Sequence, residues 1–153
     1  MANYIKEIRT LVGHKPIILV AVGGYLLNDQ NQILLQERAD TYGWGIPGGF
    51  MEYGETLAET CAREFEEDSG VKVKVGKFVG YFDHDFFEYP NGDQAQVIGN
   101  LFEVQQIGGS PLTHGTDETL STKWFDLDHT PPMYFAQNQK MIDLVKTIQS
   151  TKS

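Results

Sequence analysis

The stretch Gly49–Val71, GFMEYGETLAETCAREFEEDSGV, decides how the rest of the chain is read. Its residues from Glu55 to Ser69 are strong or neutral helix formers, and Gly70 supplies the stop that ends such a run. At ~100° per residue, Glu64, Glu67 and Asp68 share one arc of the helix. Cys61, Phe65, Ala58 and Ala62 form the core-facing arc, and Glu59 and Glu66 face solvent. Three carboxylates at i, i+3 and i+4 repel one another, and two lie at the helix C-terminus, where the dipole disfavours negative charge. That cost asks for a cation. Grouped oxygen donors suit Mg²⁺, or Mn²⁺ in its place. The spacing alone fits a solvated acidic face equally well, but a bare acidic helix has no need of the glycine turn before it. Arg63, the only base in the segment, is placed to hold Glu55 or to stand as a surface charge.

Outward from this segment the chain alternates strand and turn. Tyr4 to Val12 reads equally as helix or strand. Lys15 to Leu27 carries a run of apolar residues that predicts a strand buried on both faces. Asn28 to Asn31 is a turn signal, and Gln32 to Arg38 alternates around Ile33 and Leu35, so Ala21 to Arg38 reads as a β-hairpin. Val71 to Phe82 predicts a strand bulged near Gly76, Asp83 to Gly92 an aromatic and acidic loop, and Gln94 to Val104 a central strand. Ser121 to Asp126 is a last short strand, and a helix of about Phe135 to Gln149 follows Pro131-Pro132. Two helices and one mixed sheet form three layers, an α/β single domain over residues 1–153.

Bulk properties narrow the function. The 153 residues are 41% hydrophobic and 22% charged, ordinary for a globular protein. The net charge of -9, from 21 acidic and 12 basic side chains, disfavours DNA, long RNA and anionic membranes as partners. A small phosphorylated substrate remains compatible if divalent cations invert the local field. No apolar run reaches the length of a membrane span, the N-terminus lacks signal-peptide character, and a single cysteine fits a reducing compartment, so a cytoplasmic location is expected.

The order Gly49, five residues, Glu55, seven residues, then Arg63-Glu64-Phe65-Glu66-Glu67-Asp68-Ser69-Gly70-Val71 resembles the box of the Nudix (MutT-like) hydrolases. Every specified position matches except the last acidic one, which is Asp68 instead of Glu. Trp44-Gly45-Ile46-Pro47-Gly48-Gly49 is similar to the family's lead-in. The resemblance implies a Nudix α/β/α sandwich with a central mixed sheet. It also implies Mg²⁺-dependent hydrolysis of a nucleoside diphosphate linked to another moiety, such as ADP-ribose or a nucleotide sugar. A triphosphate pyrophosphohydrolase and a weakly catalytic nucleotide-binding module are the alternatives.

By the same resemblance Glu64, Glu67 and Asp68, with the carbonyl of Gly48, hold the metal. Gly49, Glu55, Arg63 and Gly70 shape the loop and helix around it. Asp68 is one methylene short, which predicts altered metal geometry with retained activity. Glu118, in the late loop after Gly115-Thr116-Asp117, is the candidate general base, with Glu52 next. Arg38 at a strand end can present its forked donors to a phosphate. Trp44 either covers the pocket or packs beneath it. Phe82, Phe86, Phe87 and Tyr89 offer a base-stacking surface, with Phe86 the leading residue, or a homodimer contact. Met133 to Phe135 is a candidate wall of the site. His84, His114 and His129 lack zinc-site spacing, and Cys61 reads as a buried apolar residue.

Overall fold

A computed structural model describes residues 3–152. Helix α1 (Asn3–Val12) opens it, followed by strands β1 (Ile17–Tyr25), β2 (Gln32–Arg38), β3 (Trp44–Gly45) and β4 (Gly48–Phe50). Helix α2 (Leu57–Ser69) precedes strands β5 (Val71–Glu88), β6 (Gln94–Gly109) and β7 (Thr119–Asp126). A 3₁₀ turn at Leu127–His129 leads to helix α3 (Ala136–Thr151). The tied reading of the first segment resolves as helix. Although no residue of α1 is buried, Arg9 anchors its end through the carbonyls of Gly13, Lys15 and Gln94.

The strands form two sheets. The central one is mixed, in the order β4-β1-β6-β5, with β1 parallel to β6 and antiparallel to β4. The second is antiparallel, β3-β2-β7. The expected hairpin of β1 with β2 and the single sheet are therefore corrected. Both edges of β1 are already taken by β4 and β6, so β2 leaves for the second sheet. At the turn the two strands are joined just by the bridge Leu27↔Ile33 and the main-chain bonds from Asn28 N to Gln32 O and from Leu34 N to Leu26 O, among the described residues.

β2 is also buried on both faces rather than one. Ile33 and Leu35 pack with Met141, Ile142 and Val145 of α3, while Leu34 packs with Cys61 and Phe65 of α2. The two apolar layers, one under each helix, make the α/β/α sandwich. Gly24 lies where β1 passes beneath α2; a Cβ there would crowd Phe65 at 3.1 Å and Cys61 at 3.2 Å.

The predicted aromatic loop after Phe82 is mostly strand. β5 continues to Glu88, with the expected bulge between Val75 and Phe78 and another between Phe82 and Asp85. Period-two alternation turns Phe87 inward, at 8% exposure, and Phe86 outward, at 68%. The second bulge is held by Gln137, whose Nε2 donates to the carbonyls of Phe82 and Val97 and to Asp85. Lys140 pairs with Asp85 at 2.6 Å, which fixes the start of α3 against the sheet.

Candidate active site

Helix α2 begins with a complete capping box. Thr56 Oγ1 accepts from the N–H of Glu59, and Glu59 accepts from the N–H of Thr56. It ends at Gly70, whose φ of 81° is left-handed and whose added Cβ would lie 2.6 Å from the Ser110 carbonyl oxygen. Both ends of the acidic helix are thus fixed by local chemistry.

Arg63 is the hub of the segment. Its Nε and Nη2 donate to Glu55 at 2.6 and 2.8 Å, its Nη1 reaches Glu64 at 2.8 Å and Glu67 at 3.5 Å, and Nη2 also meets the Phe50 carbonyl. The Arg63 guanidinium holds the Glu55 carboxyl down at about 2, against the desolvation that opposes it. Thr60 and the N–H of Glu52 complete the Glu55 shell. Glu52 itself accepts from the N–H groups of Asn3 and Tyr4, so this runner-up base caps α1 instead.

Carboxylate oxygens of Glu64, Asp68 and Glu118 lie within 4.8 Å of one another. Glu64 and Asp68 are buried, at 5% and 2% exposure, while Glu118 is exposed. Burial, and then the repulsion of neighbouring carboxylates, pushes the proton affinity of both buried acids above the ordinary range. For Glu64 the Arg63 guanidinium opposes that rise, and for Asp68 the opposing donor is the N–H of Gly48 at 3.0 Å. Glu67 stands outside this close set, beside Arg63.

Gly48 and Gly49 let the chain run this close. A Cβ on Gly48 would strike the Val22 carbonyl and lie 2.7 Å from Gly23 Cα, and one on Gly49 would strike the Glu64 carboxyl group. The donor set fits a hard divalent cation: it is all oxygen, and the neighbouring donors offset only part of its buried charge. Glu64 and Asp68 would hold it, with Glu118 at the exposed side of the cluster.

The cluster faces a cavity of about 270 Å³, lined also by Gln36, Arg38, Asp40 and Asp117. A narrow cleft adjoins it, sharing Arg38, Gly48, Gly49 and Phe50 and walled by Phe87, Tyr89 and Phe135. Arg38 stands between the two. Asp40 takes its Nε and Nη2 at 2.9 and 2.8 Å, and its guanidinium carbon lies 5.4 Å from the centre of the Phe135 ring. Phe87 and Phe135 stack with centroids 4.2 Å apart.

Two of the expected substrate contacts lie elsewhere. Trp44 packs edge-on against Phe125 in the core under α3, and Phe86 lines a separate hollow with Pro16 and Ile18. Their neighbours Phe87 and Phe135 take the cleft; a one-residue change of face on a strand separates Phe86 from Phe87. Cys61 is buried, and desolvation raises its thiol to about 12, which makes it no nucleophile. Buried Gln36 carried no signal beyond being the polar residue that closes an apolar run.

Fold and cluster together have the form of a hydrolase for phosphate anhydrides. The chain matches the NUDIX domain over residues 18–145, and it belongs to that family; it is a Nudix pyrophosphohydrolase. An ADP-ribose pyrophosphatase of Methanocaldococcus jannaschii is 30% identical over 130 residues, covering 83% of this chain and 73% of that protein. A MutT-like protein of Streptomyces ambofaciens is 28% identical over 113 residues, covering 74% and 67% respectively. Among solved structures, an ADP-ribose pyrophosphatase of Streptococcus suis superposes with a TM-score of 0.68 at 21% identity, over 88% of this chain and 92% of that one. Nudix hydrolases act on small nucleotide substrates and generally use divalent metals. No helix among the described residues is long and apolar enough to cross a membrane.

Proposed function

We infer that this chain hydrolyses the diphosphate linkage of a nucleoside diphosphate joined to a second moiety, with Mg²⁺ or Mn²⁺, and that ADP-ribose is the substrate to test first. The observation that carries this reading is the continuity of the two chambers. A carboxylate cluster suited to a cation opens, past Arg38, into a cleft walled by aromatic rings. A diphosphate with a nucleoside on one side has that same order of charge and ring.

A divalent cation bound at the cluster supplies charge neutralisation on the diphosphate and eases deprotonation of a water. The remaining work falls to side chains. Arg38, oriented by Asp40, offers its remaining N–H donors to a phosphate oxygen. Phe87, Tyr89 and Phe135 receive the nucleoside side. Glu118, the exposed member of the cluster, accepts the proton of the attacking water. Glu55 and Arg63 keep Glu64 aimed at the cavity.

The test is a panel of ADP-ribose, other nucleoside diphosphate sugars, oxidised nucleoside triphosphates, dinucleoside polyphosphates and capped RNA ends, each with Mg²⁺. AMP release from ADP-ribose that is lost in Glu64→Gln is the expected result. Turnover confined to triphosphates, with pyrophosphate released, would move the assignment to the MutT-like alternative. Cation binding with no turnover of any compound would leave a nucleotide-binding module.

A further inference from the structure

Helix α2 covers only part of its face of the central sheet. Val22, Phe102 and Val104 lie under it with Cys61 and Phe65. Strand register carries the same face onward in two further rows. One is Ile18, Gln96 and Phe86 across β1, β6 and β5, and the other is Val20 and Ile98. Met51 and Tyr53 flank these rows beside Ile18 and Val20. Tyr81 ends the adjoining row, past Val22 and Asn100.

Ile18, Phe86 and Tyr81 are 69%, 68% and 64% exposed, and Tyr53 is 95% exposed. At ~150–250 Å² for a whole aromatic side chain, the three rings alone offer solvent roughly 450 Å². Ile18 and the half-buried Val20, Met51 and Ile98 bring the patch to roughly 600 Å². That is the upper end of what a monomer leaves open, and it approaches the ~800 Å² that one partner gives to a stable interface. The surface is also uneven. Ile18 stands between two hollows, one of about 420 Å³ beside Phe86 and Gln96 and one of about 270 Å³ beside Met51 and Tyr53. A two-fold axis through the rows sets the ridge of each copy into a hollow of the other.

Charge selects the occupant. The two rows hold no acid and no lysine or arginine, while Glu52, Asp83 and Glu88 border them. Nucleic acid finds no cation there, and an anionic membrane meets carboxylates. A charged peptide has nothing to pair with in the middle. Two copies of a chain of net charge -9 repel one another, and they meet at least cost through a face whose centre is uncharged. The free edge of the same sheet is closed to them, because β5 carries exposed Lys72, Lys74 and Lys77 and is bent by bulges.

We propose that this open face of the central sheet is the contact between two copies of the chain, an isologous homodimer packed sheet face to sheet face with Ile18 and Phe86 at its centre. Its acids stay in solvent, so salt screens the repulsion and leaves the apolar attraction. The contact is independent of the phosphoanhydride reading, since no residue of the two rows lines the carboxylate cavity or the aromatic cleft.

Sedimentation equilibrium of the full chain across a concentration series tests this. The wild type is expected at twice the mass of one chain, with a Kd that falls as sodium chloride is raised. Ile18→Lys and Phe86→Lys are expected at the mass of one chain, with an unchanged circular dichroism spectrum. Each substitution enters an isologous interface twice, so a tenfold loss per copy becomes about 100-fold in Kd. Ile107→Lys, at an equally exposed isoleucine near the far end of β6, keeps the dimer.

A wild type that stays at the mass of one chain overturns the proposal. So does a dimer that survives both face substitutions, one that Ile107→Lys also dissolves, or one whose Kd rises with salt. Retention of a monomeric wild type on neutral phosphatidylcholine vesicles, abolished by Ile18→Lys, would give the face to a lipid surface instead.

Discussion

Replacing Glu55 by glutamine isolates the ion pair that holds the acidic helix together. In the native protein the Glu55 carboxyl is drawn from an ordinary 4.5 to about 2, chiefly by the two bonds from Arg63. Each tenfold change in proton affinity is worth ~1.36 kcal/mol, so the pair carries roughly 3 kcal/mol of differential interaction before screening. Because the carboxyl side chain is 20% exposed, solvent brings this to about 2 kcal/mol. The sign follows from the depressed value. This stability is present above the unfolded value and is lost as pH falls through the folded one.

Glu55→Gln is therefore expected to lower stability at pH 7 by about 2 kcal/mol, or ~4–8 °C in melting temperature for a chain of this size. The gap to wild type should shrink below half by pH 3. Urea unfolding of both proteins between pH 7 and pH 3 measures it. A gap that stays constant with pH would refute the reasoning, because the loss would then come from packing or from the neutral hydrogen bonds.

In cation-free buffer Asp68→Asn is expected to melt a few degrees above wild type at pH 7, because a buried, repelled charge has been removed; added Mg²⁺ should then stabilise it far less. The matching pH dependence runs opposite to that of Glu55. An acid with a raised folded value costs stability when ionised, so the Asp68 contribution to cation-free wild type improves as pH falls from 7, whereas in Asp68→Asn it is absent. Gly70→Ala combines a left-handed backbone with a contact on the Ser110 carbonyl and should lose about 1–3 kcal/mol in a denaturant titration. Phe135→Leu should raise KM about 3–10-fold for a nucleoside substrate with kcat kept, the scale of one aromatic contact. Phe86→Ala should leave both constants unchanged, and steady-state kinetics on the two variants compare the faces of the aromatic segment.

The helix and its ends were legible because everything that defines them is local. The i, i+3, i+4 acids, the stop at Gly70 and the lone base Arg63 lie within one stretch, and the spacing already faces them together. The partition of strands was not legible, since Asn28 to Asn31 is a sound turn whether or not the strands on either side pair. Only the competition of Gly48–Phe50 and Gln94–Gly109 for the two edges of β1 decides against the hairpin. Asp83, His84 and Asp85 look like loop residues because charge sits among aromatics. In the structure Asp85 is buried by Gln137 and Lys140, some 50 positions further along the chain. The approach of Glu118 to Glu64 and Asp68 is equally remote in sequence. It was expected from family likeness, and no pattern in the residues themselves could supply it.

The glycines of the box touch main chain and carboxylate, while the aromatic cleft is walled by side chains from β5, the turn after it and the start of α3. Gly48 abuts the main chain of Val22 and Gly23 and Gly70 that of Ser110, contacts no change of rotamer can ease, while Gly49 abuts the Glu64 carboxyl, which could yield only by moving away from its place in the cluster. Phe87 and Phe135 are buried in a core cluster and Tyr89 packs against it, so what constrains them is side-chain volume. The molecule is thus divided into a part held by main-chain approach and a part held by the packing of rings. A lineage, or a designer, could exchange what is recognised by altering a few rings while the bond-breaking end stays untouched, with Arg38 as the hinge between the inherited half and the adaptable one.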